Sequence, residues 1–171
     1  AETGAKELVC FHDDCYAMST WWAPSYGIKV PFRAIHFTEY LVEYLTKNKD
    51  RVKPINMKLA YQRPCASRLS SDKQHFVDEL FELVGAERVK RVYDREKALC
   101  CAAVKEGLGI GDPKPDQEKN FLDAKKAGAD AMVCLCPICF QTLSPLAKEY
   151  ELPVFFISDI ARMALGEKIS S

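Results

Sequence analysis

The chain has 171 residues, of which 48% are hydrophobic and 28% are charged, so it has enough apolar material for the core of one domain or of two small lobes. Lysine and arginine together number 24, as do aspartate and glutamate, which argues against proteins that bind nucleic acid or acidic membranes. No apolar run reaches the roughly 18 residues of a spanning helix, so we expect no membrane insertion.

Short β-rich runs alternate with longer segments of helical periodicity. In chain order, the pattern predicts a strand over 7–11, a strand over 28–32, a helix over 38–48, a strand over 58–62, a helix over 72–85, a strand over 88–93, a helix over 116–129, a strand over 131–135, a helix over 139–151 and a strand over 153–157. Ser158 or Asp159 is positioned to cap a last helix over 160–168. This alternation predicts an α/β fold, with a largely parallel sheet and flanking helices.

The sequence also contains an internal repeat. A shift of 124 residues superposes identical residues of two copies: Val9 on Val133, Cys10 on Cys134, Cys15 on Cys139 and Tyr26 on Tyr150. After a four-residue slip, 36–41 lies on 156–161. Each copy reads strand, cysteine turn, helix, strand, helix, which indicates internally duplicated half-domains. The first copy begins inside the helix that precedes its strand, so we expect a repeat that is cut at the front.

Five of the eight cysteines are evenly spaced. Cys65 is followed by 34 residues and the vicinal pair Cys100-Cys101, then by another 34 residues and the motif "CPIC", which runs from Cys136 to Cys139. Each group follows a predicted strand or a short apolar run. Because the carboxyl ends of parallel strands share one edge of a sheet, we expect these five thiols to meet at one place.

Thiols that cluster in this way are typical of metal or redox sites in the reducing cytosol, so we expect a cytoplasmic protein. Burying several thiolates is prohibitive without a metal to neutralise them. Five thiols exceed the four ligands of tetrahedral zinc, and adjacent cysteines diverge, which suits a polynuclear centre. Three alternatives stay open here: "CPIC" as a zinc half-site or thiol–disulfide motif, a secreted disulfide scaffold, and unrelated structural cysteines. Cys134 and Cys10 lie inside apolar strands, and we expect both in the core.

The arrangement resembles the cysteine-rich CCG domain found in the B-type subunit of heterodisulfide reductase and in related iron–sulfur proteins. The resemblance covers nearly the whole chain and rests on "YQRPCASR" around Cys65, "ALCCAAV" around Cys100-Cys101, "GADAMVCLCPICFQTL" and "LPVFFISDIA". Ala102 stands where the family pattern usually has Gly. Family members usually carry two such motifs. The resemblance therefore implies that 58–171 is a complete CCG-type cysteine-rich domain and that 1–57 is the C-terminal part of a first CCG-like repeat.

The resemblance also implies a cofactor and a function. An iron–sulfur cluster of the 4Fe-4S type, or a non-cubane form of it, would be bound by Cys65, Cys100, Cys101, Cys136 and Cys139. The implied function is that of an iron–sulfur oxidoreductase subunit that either passes electrons on or reduces a disulfide. The alternative is a zinc-binding or scaffolding module without catalysis of its own. The implied partners are other subunits of a redox complex, carrying iron–sulfur clusters or flavin, and a disulfide substrate.

Three further residues are candidates for the lining of a substrate cavity beside the cluster. The repeat places His12 in the position of Cys136, and Arg63 and Arg68 flank Cys65. The arginines would offset cluster charge or bind an anionic substrate, unless they belong to a solvated loop. For His12 the alternatives are a decayed site, in which it merely occupies a turn, and a metal site that another chain completes.

Overall fold

The computed structural model describes residues 3–169, and within that range every paired strand runs parallel to its neighbour. Its strands are β1 (Glu7–Cys10), β2 (Arg33–His36), β3 (Lys58–Gln62), β4 (Glu87–Arg88), β5 (Ala131–Cys134) and β6 (Val154–Phe156). β1 pairs with β2, and the other strands form a four-stranded sheet in the order β4-β3-β5-β6. The predicted α/β fold with parallel strands is thus confirmed.

Helices connect the strands along the chain. The α-helices of the described range are α1 (Asp13–Ala17), α2 (Ala23–Ser25), α3 (Phe37–Lys47), α4 (His75–Leu83), α5 (Ala103–Leu108), α6 (Lys114–Lys126), α7 (Pro137–Leu143) and α8 (Ile157–Ala164). A π-helical turn joins α1 to α2 over Met18–Trp22, and 3-10 turns occupy Lys49–Arg51, Cys65–Lys73, Arg95–Lys97 and Ser144–Leu146. Among these helices, none combines the length and the apolar character that a bilayer crossing requires.

Strand β5 shows how the larger sheet is covered. Ala131 and Val133 pack into one core cluster with residues of α3, α4 and α8, whereas Met132 and Cys134 pack into a second cluster with residues of α6 and α7. Successive residues of a strand point to opposite faces, so helices bury the sheet on both sides. This burial explains why β5 is apolar at every position. Because helices cover both faces of the sheet, polar side chains can come together at the carboxyl ends of its strands.

The strand pair β1–β2 has the same register as β5–β6 under the internal repeat. Val9 pairs with Ile35, and the equivalent Val133 pairs with Phe155. α3 begins directly after β2, and α8 begins directly after β6. The division of the chain into 1–57 and 58–171 stays a prediction, and this equivalence supports it.

Two of the predicted strands are wrong. No strand forms over 28–32, because Gly27 turns the chain with a φ of 72° and Pro31 has no N–H to donate to a neighbouring strand. The strand predicted over 88–93 shrinks to β4. Its ladder stops after Val89, because the side chain of Arg91 binds the carbonyl of Tyr61 that the next ladder bond would use.

The helix predictions also need correction. The helix expected over 139–151 ends at Leu143, because Pro145 cannot donate the backbone hydrogen bond that would continue it. Neither Ser158 nor Asp159 is the N-cap of the last helix, which begins earlier, at Ile157. Asp159 instead lies in its first turn and accepts a hydrogen bond from the N–H of Phe156 at 3.0 Å. The short helix α5 was not predicted, since six residues give little periodicity.

Candidate thiol-rich site

Two strands of the larger sheet end next to the evenly spaced cysteines. β3 ends at Gln62, shortly before Cys65, and β5 ends at Cys134, shortly before Cys136. Cys136 is the N-cap of α7, and Pro137 opens that helix at a position where a missing N–H breaks no hydrogen bond. Since residues three apart are neighbours on a helical turn, this start brings Cys136 and Cys139 together.

Thiols from separate segments of the chain touch at this edge. Cys101 of the vicinal pair packs into one buried cluster with Cys136 and Cys139 of the CPIC motif. Burial raises the pKa of Cys100, and the charges of Cys101 and Cys65 add to that effect. The structure thus packs three of the predicted ligands together, and Cys65 is near enough to Cys100 to affect the pKa of that thiol.

The site has a buried side and an exposed side. Cys101, Cys136 and Cys139 are buried, whereas Cys65 and Cys100 are exposed. All eight cysteines lie in the described part of the chain, and all are free. Solvent therefore reaches the thiol group from the side of Cys65 and Cys100. Cys134 is completely buried and takes its expected place in the core, as does Cys10 with 2% exposure.

The turn after the vicinal pair has an unusual backbone conformation. Ala102 has a φ of 64° and a ψ of 10°, the left-handed region that favours glycine, and it is the N-cap of α5. Its N–H donates a hydrogen bond to the sulfur of Cys100 at 3.3 Å. The turn therefore keeps a glycine-like geometry although the residue is alanine, and it directs backbone polarity towards one of the thiols.

The buried thiols differ strongly in acidity. Hydrogen bonds from Cys139 and then from His12 lower the pKa of Cys136 to about 4, against the opposing effect of burial. A hydrogen bond from Cys139 likewise lowers the pKa of Cys101 to about 6. The same two hydrogen bonds, which use the proton of Cys139, raise the pKa of that thiol. A metal centre would neutralise negative charge on these buried sulfurs.

His12 comes from the first half of the chain and reaches the thiol site directly. Its Nε2 atom lies 3.0 Å from the sulfur of Cys136, the residue that occupies the equivalent position in the repeat. Its Nδ1 atom accepts a hydrogen bond from the N–H of Asp14 at 3.2 Å, so His12 is also the N-cap of α1. The hydrogen bond with Cys136 raises the pKa of His12.

A buried polar network next to His12 leaves no signal in the sequence pattern. Asp13 is completely buried and accepts hydrogen bonds from His36 at 3.2 Å, from Ser67 at 3.3 Å and from Ser70. Ser67 and Ser70 belong to the 3-10 segment that begins at Cys65. No spacing rule connects these residues, which lie 54 and 57 positions from Asp13, so only the fold reveals the network.

The two arginines that flank Cys65 make different contacts. Arg63 is 8% exposed, and its guanidinium lies 3.3 Å from the carboxylate of Glu96. Arg68 is exposed and donates a hydrogen bond to the carbonyl of Cys65 at 3.4 Å. Within residues 3–169, neither arginine is hydrogen-bonded to His12. Arg68 is therefore the arginine at the exposed side of the thiol site, and a cavity lined by all three residues stays a prediction.

The donor set can be compared with the ligands that metals prefer. In the part of the chain that the structure describes, no three or more His, Cys, Asp or Glu side chains are arranged to hold a single metal ion. In an iron–sulfur cluster the thiolates bind different irons, so their sulfurs need not converge on one point. Thiolates are soft ligands, and five of them exceed the four ligands of a tetrahedral zinc ion, so the donor set suits a polynuclear centre. The residues that would hold it are Cys65, Cys100, Cys101, Cys136 and Cys139.

No family model matches the chain. It is 31% identical over 175 residues to the D-type subunit of the dihydromethanophenazine:CoB--CoM heterodisulfide reductase of Methanosarcina barkeri, a match that covers 95% of the chain and 42% of the relative. It is 27% identical over 167 residues to the B-type subunit of the ferredoxin:CoB-CoM heterodisulfide reductase of Methanosarcina mazei, covering 81% and 54%. The chain thus spans about half or less of the length of these curated relatives. Over most of its own length, it is similar to the D-type and B-type subunits of heterodisulfide reductases.

Proposed function

We propose that this chain is an iron–sulfur subunit, or part of one, of an oxidoreductase related to heterodisulfide reductase. The observation that carries the proposal is that Cys101, Cys136 and Cys139 pack into one buried cluster, because this joins two cysteine motifs that are distant in sequence. The similarity to the D-type and B-type subunits of heterodisulfide reductases supports the same function. When bound, a 4Fe-4S-type cluster would supply one-electron transfer at this edge of the sheet.

The chain's own residues would hold and shield that centre. Cys101, Cys136 and Cys139 form the buried side, where the packed core excludes water, and Cys65 and Cys100 close the exposed side. The N–H of Ala102 and the Nε2 atom of His12 contact two of the sulfurs, and such hydrogen bonds stabilise negative charge on a thiolate. We propose the complete site for residues 58–171, with residues 1–57 adding the contact from His12.

Disulfide reduction is the finer part of the proposal. A disulfide substrate would approach over Cys65 and Cys100, since these are the exposed thiols of the site. Arg68 lies on that side and would bind an anionic group of the substrate, while Arg63 is held by Glu96. Electrons would come from another subunit that carries iron–sulfur clusters or flavin.

Anaerobic reconstitution with iron and sulfide tests the cofactor. We expect broad visible absorption, with iron and acid-labile sulfide bound in equal amounts. Cys101→Ser should abolish the cluster and its paramagnetic signal, because a hydroxyl is a poor substitute for a ligating thiolate. The matched control is Cys15→Ser, which removes an exposed thiol outside the evenly spaced set and should leave the cluster intact. A colourless protein that retains zinc would contradict the proposal, as would an unchanged cluster in Cys101→Ser.

A further inference from the structure

Two consecutive residues at the start of helix α1 contact two different segments of the thiol site. His12 contacts Cys136, while the next residue, Asp13, binds the segment that follows Cys65. We propose that His12 and Asp13 are positioning residues of this site: His12 holds the sulfur of Cys136 through a hydrogen bond from Nε2, and Asp13 holds the segment that carries Cys65. This inference rests on the proposed function, and it extends the site to residues that bind no metal themselves.

The partners of His12 determine which ring nitrogen carries the proton. Nδ1 accepts a hydrogen bond from the N–H of Asp14, and a neutral imidazole has one donor and one acceptor nitrogen, so Nε2 is the donor. When the ring carries two protons, Nδ1 donates to the carboxylate of Asp14, 2.9 Å away, and Nε2 keeps its hydrogen. In both cases Nε2–H points at Cys136, so the cap of α1 also orients the hydrogen bond to the sulfur.

A hydrogen bond to a ligating sulfur changes the properties of the centre that the sulfur binds. Reduction adds negative charge, and an N–H donor stabilises the more negative state, so its loss shifts the reduction potential to more negative values. The contact from His12 to Cys136 is such a donor, and it comes from outside the cysteine pattern. His12 would therefore set the potential of the centre without being one of its ligands.

Asp13 binds the segment of the site that begins at Cys65. A fully buried carboxylate is costly unless donors surround it, and Asp13 has them in His36, Ser67 and Ser70. Ser70 lies at a kink where two helical turns meet, with a φ of −134° and a ψ of 41°. The two serine bonds therefore fix the shape of the segment that begins at Cys65. The position of the Cys65 sulfur depends on that shape.

Three variants separate the roles of His12. His12→Asn keeps an oxygen that can cap α1 but is too short to reach Cys136, whereas His12→Gln has a longer amide donor. In the reconstituted protein, we expect His12→Asn to bind iron and sulfide as before and to have a more negative midpoint potential. His12→Gln should recover part of the shift, and His75→Asn, at an exposed histidine, should have none. An unchanged potential in His12→Asn would overturn the inference, as would complete loss of the cluster, which would make His12 a ligand.

A measurement on the metal-free protein separates this inference from the proposed function. The chain has only three histidines, so nitrogen-15 NMR of labelled histidine can be assigned with the His12→Asn and His75→Asn variants. We expect the hydrogen of His12 on Nε2, with slow exchange. A hydrogen found only on Nδ1 would overturn the hydrogen bond to Cys136, whether or not a cluster binds. A protein with the expected proton that binds no cluster would overturn the proposed function alone.

The test of Asp13 needs a control variant that loses stability without a change at the site. Asp13→Asn keeps the shape of the side chain and removes its charge. The control, Leu45→Ala, truncates a buried residue of α3 in the core cluster that does not contain the cysteines of the site. At an equal loss of Tm, we expect Asp13→Asn to lose its cluster to a chelator several-fold faster than Leu45→Ala. Equal rates would mean that Asp13 supports folding only, which contradicts the inference.

The metal-free protein again gives an independent readout for Asp13. We expect proteases to cleave the segment over 65–73 several-fold faster in Asp13→Asn than in Leu45→Ala, because the amide leaves one acceptor oxygen where the carboxylate had two. Should Asp13→Asn fail to fold, Ser67→Ala and Ser70→Ala remove one hydrogen bond each and are tested in the same way. Unchanged cleavage in all folded variants would show that Asp13 does not hold this segment.

Discussion

Ala102 adopts a backbone conformation that lowers the stability of the folded protein. The left-handed conformation costs an alanine roughly 1–2 kcal/mol, because its Cβ comes close to the following carbonyl oxygen. Ala102 adopts it with a φ of 64°, directly after the vicinal cysteines. The neighbouring Ala103 starts α5 in the ordinary helical region. Two adjacent alanines therefore adopt backbone conformations of opposite hand.

Replacing each of these alanines by glycine should change stability in opposite directions. We expect Ala102→Gly to raise the free energy of unfolding by about 1 kcal/mol, since glycine adopts positive φ without steric cost. Ala103→Gly should lower it by roughly 0.5–1 kcal/mol, as glycine does within helices. Urea unfolding of the metal-free variants measures both. Equal destabilisation by the two changes would show that the left-handed turn stores no such cost.

At the scale of elements, a prediction succeeded where the local residue pattern and the backbone requirements of the chain agreed. β3 was predicted with its observed bounds, because five consecutive residues suited a buried parallel strand. The strand expected over 28–32 failed where the backbone needs of Gly27 and Pro31 outweighed a favourable composition. The π-helical turn after α1 has no simple period, so sequence alone did not predict it.

The repeat offers a matched pair of tyrosines for an experiment at this scale. Tyr150 stacks on Phe121 of α6 with ring centroids 4.6 Å apart, whereas the equivalent Tyr26 is 83% exposed. Tyr150→Ala should therefore lower the free energy of unfolding by about 1 kcal/mol or more, while Tyr26→Ala should change it by less than about 0.5 kcal/mol. Thermal and urea unfolding would measure both, and similar losses at the two positions would contradict this difference between their environments.

For the molecule as a whole, the cysteine spacing predicted one common site for five thiols, and the structure packs three of them, Cys101, Cys136 and Cys139, into one cluster. Strand ends account for the positions after β3 and β5, since parallel strands bring their carboxyl ends to one edge, whereas Cys100 and Cys101 follow a longer connection after β4. The repeat also marked His12, through its equivalence to Cys136. The buried bonds of Asp13 could not be predicted, because short polar side chains far apart in sequence leave no periodic trace.

The first half also exposes several large apolar side chains, which are typical of an interaction surface when they lie together. Leu8, Met18 and Trp21 are 44%, 52% and 58% exposed, and within residues 3–169 strand β1 pairs only with β2. We expect this chain to associate in a concentration-dependent way, which sedimentation velocity would detect. The double variant Met18→Ser, Trp21→Ser should weaken the association, while Val92→Ser, at an exposed site of the second half, should not. A monomer at all concentrations would contradict this expectation.

The contact between His12 and Cys136 has a geometric consequence of its own. The two residues hold the same place in the two copies, so any rotation that exchanges the copies exchanges these residues as well. A contact between exchanged partners lies on the rotation axis. A residue away from the axis can occur twice, once in each copy, but whatever occupies the axis is shared by both. The two copies have already diverged here, to His12 and Cys136, so a change of either residue alters a contact that both halves share.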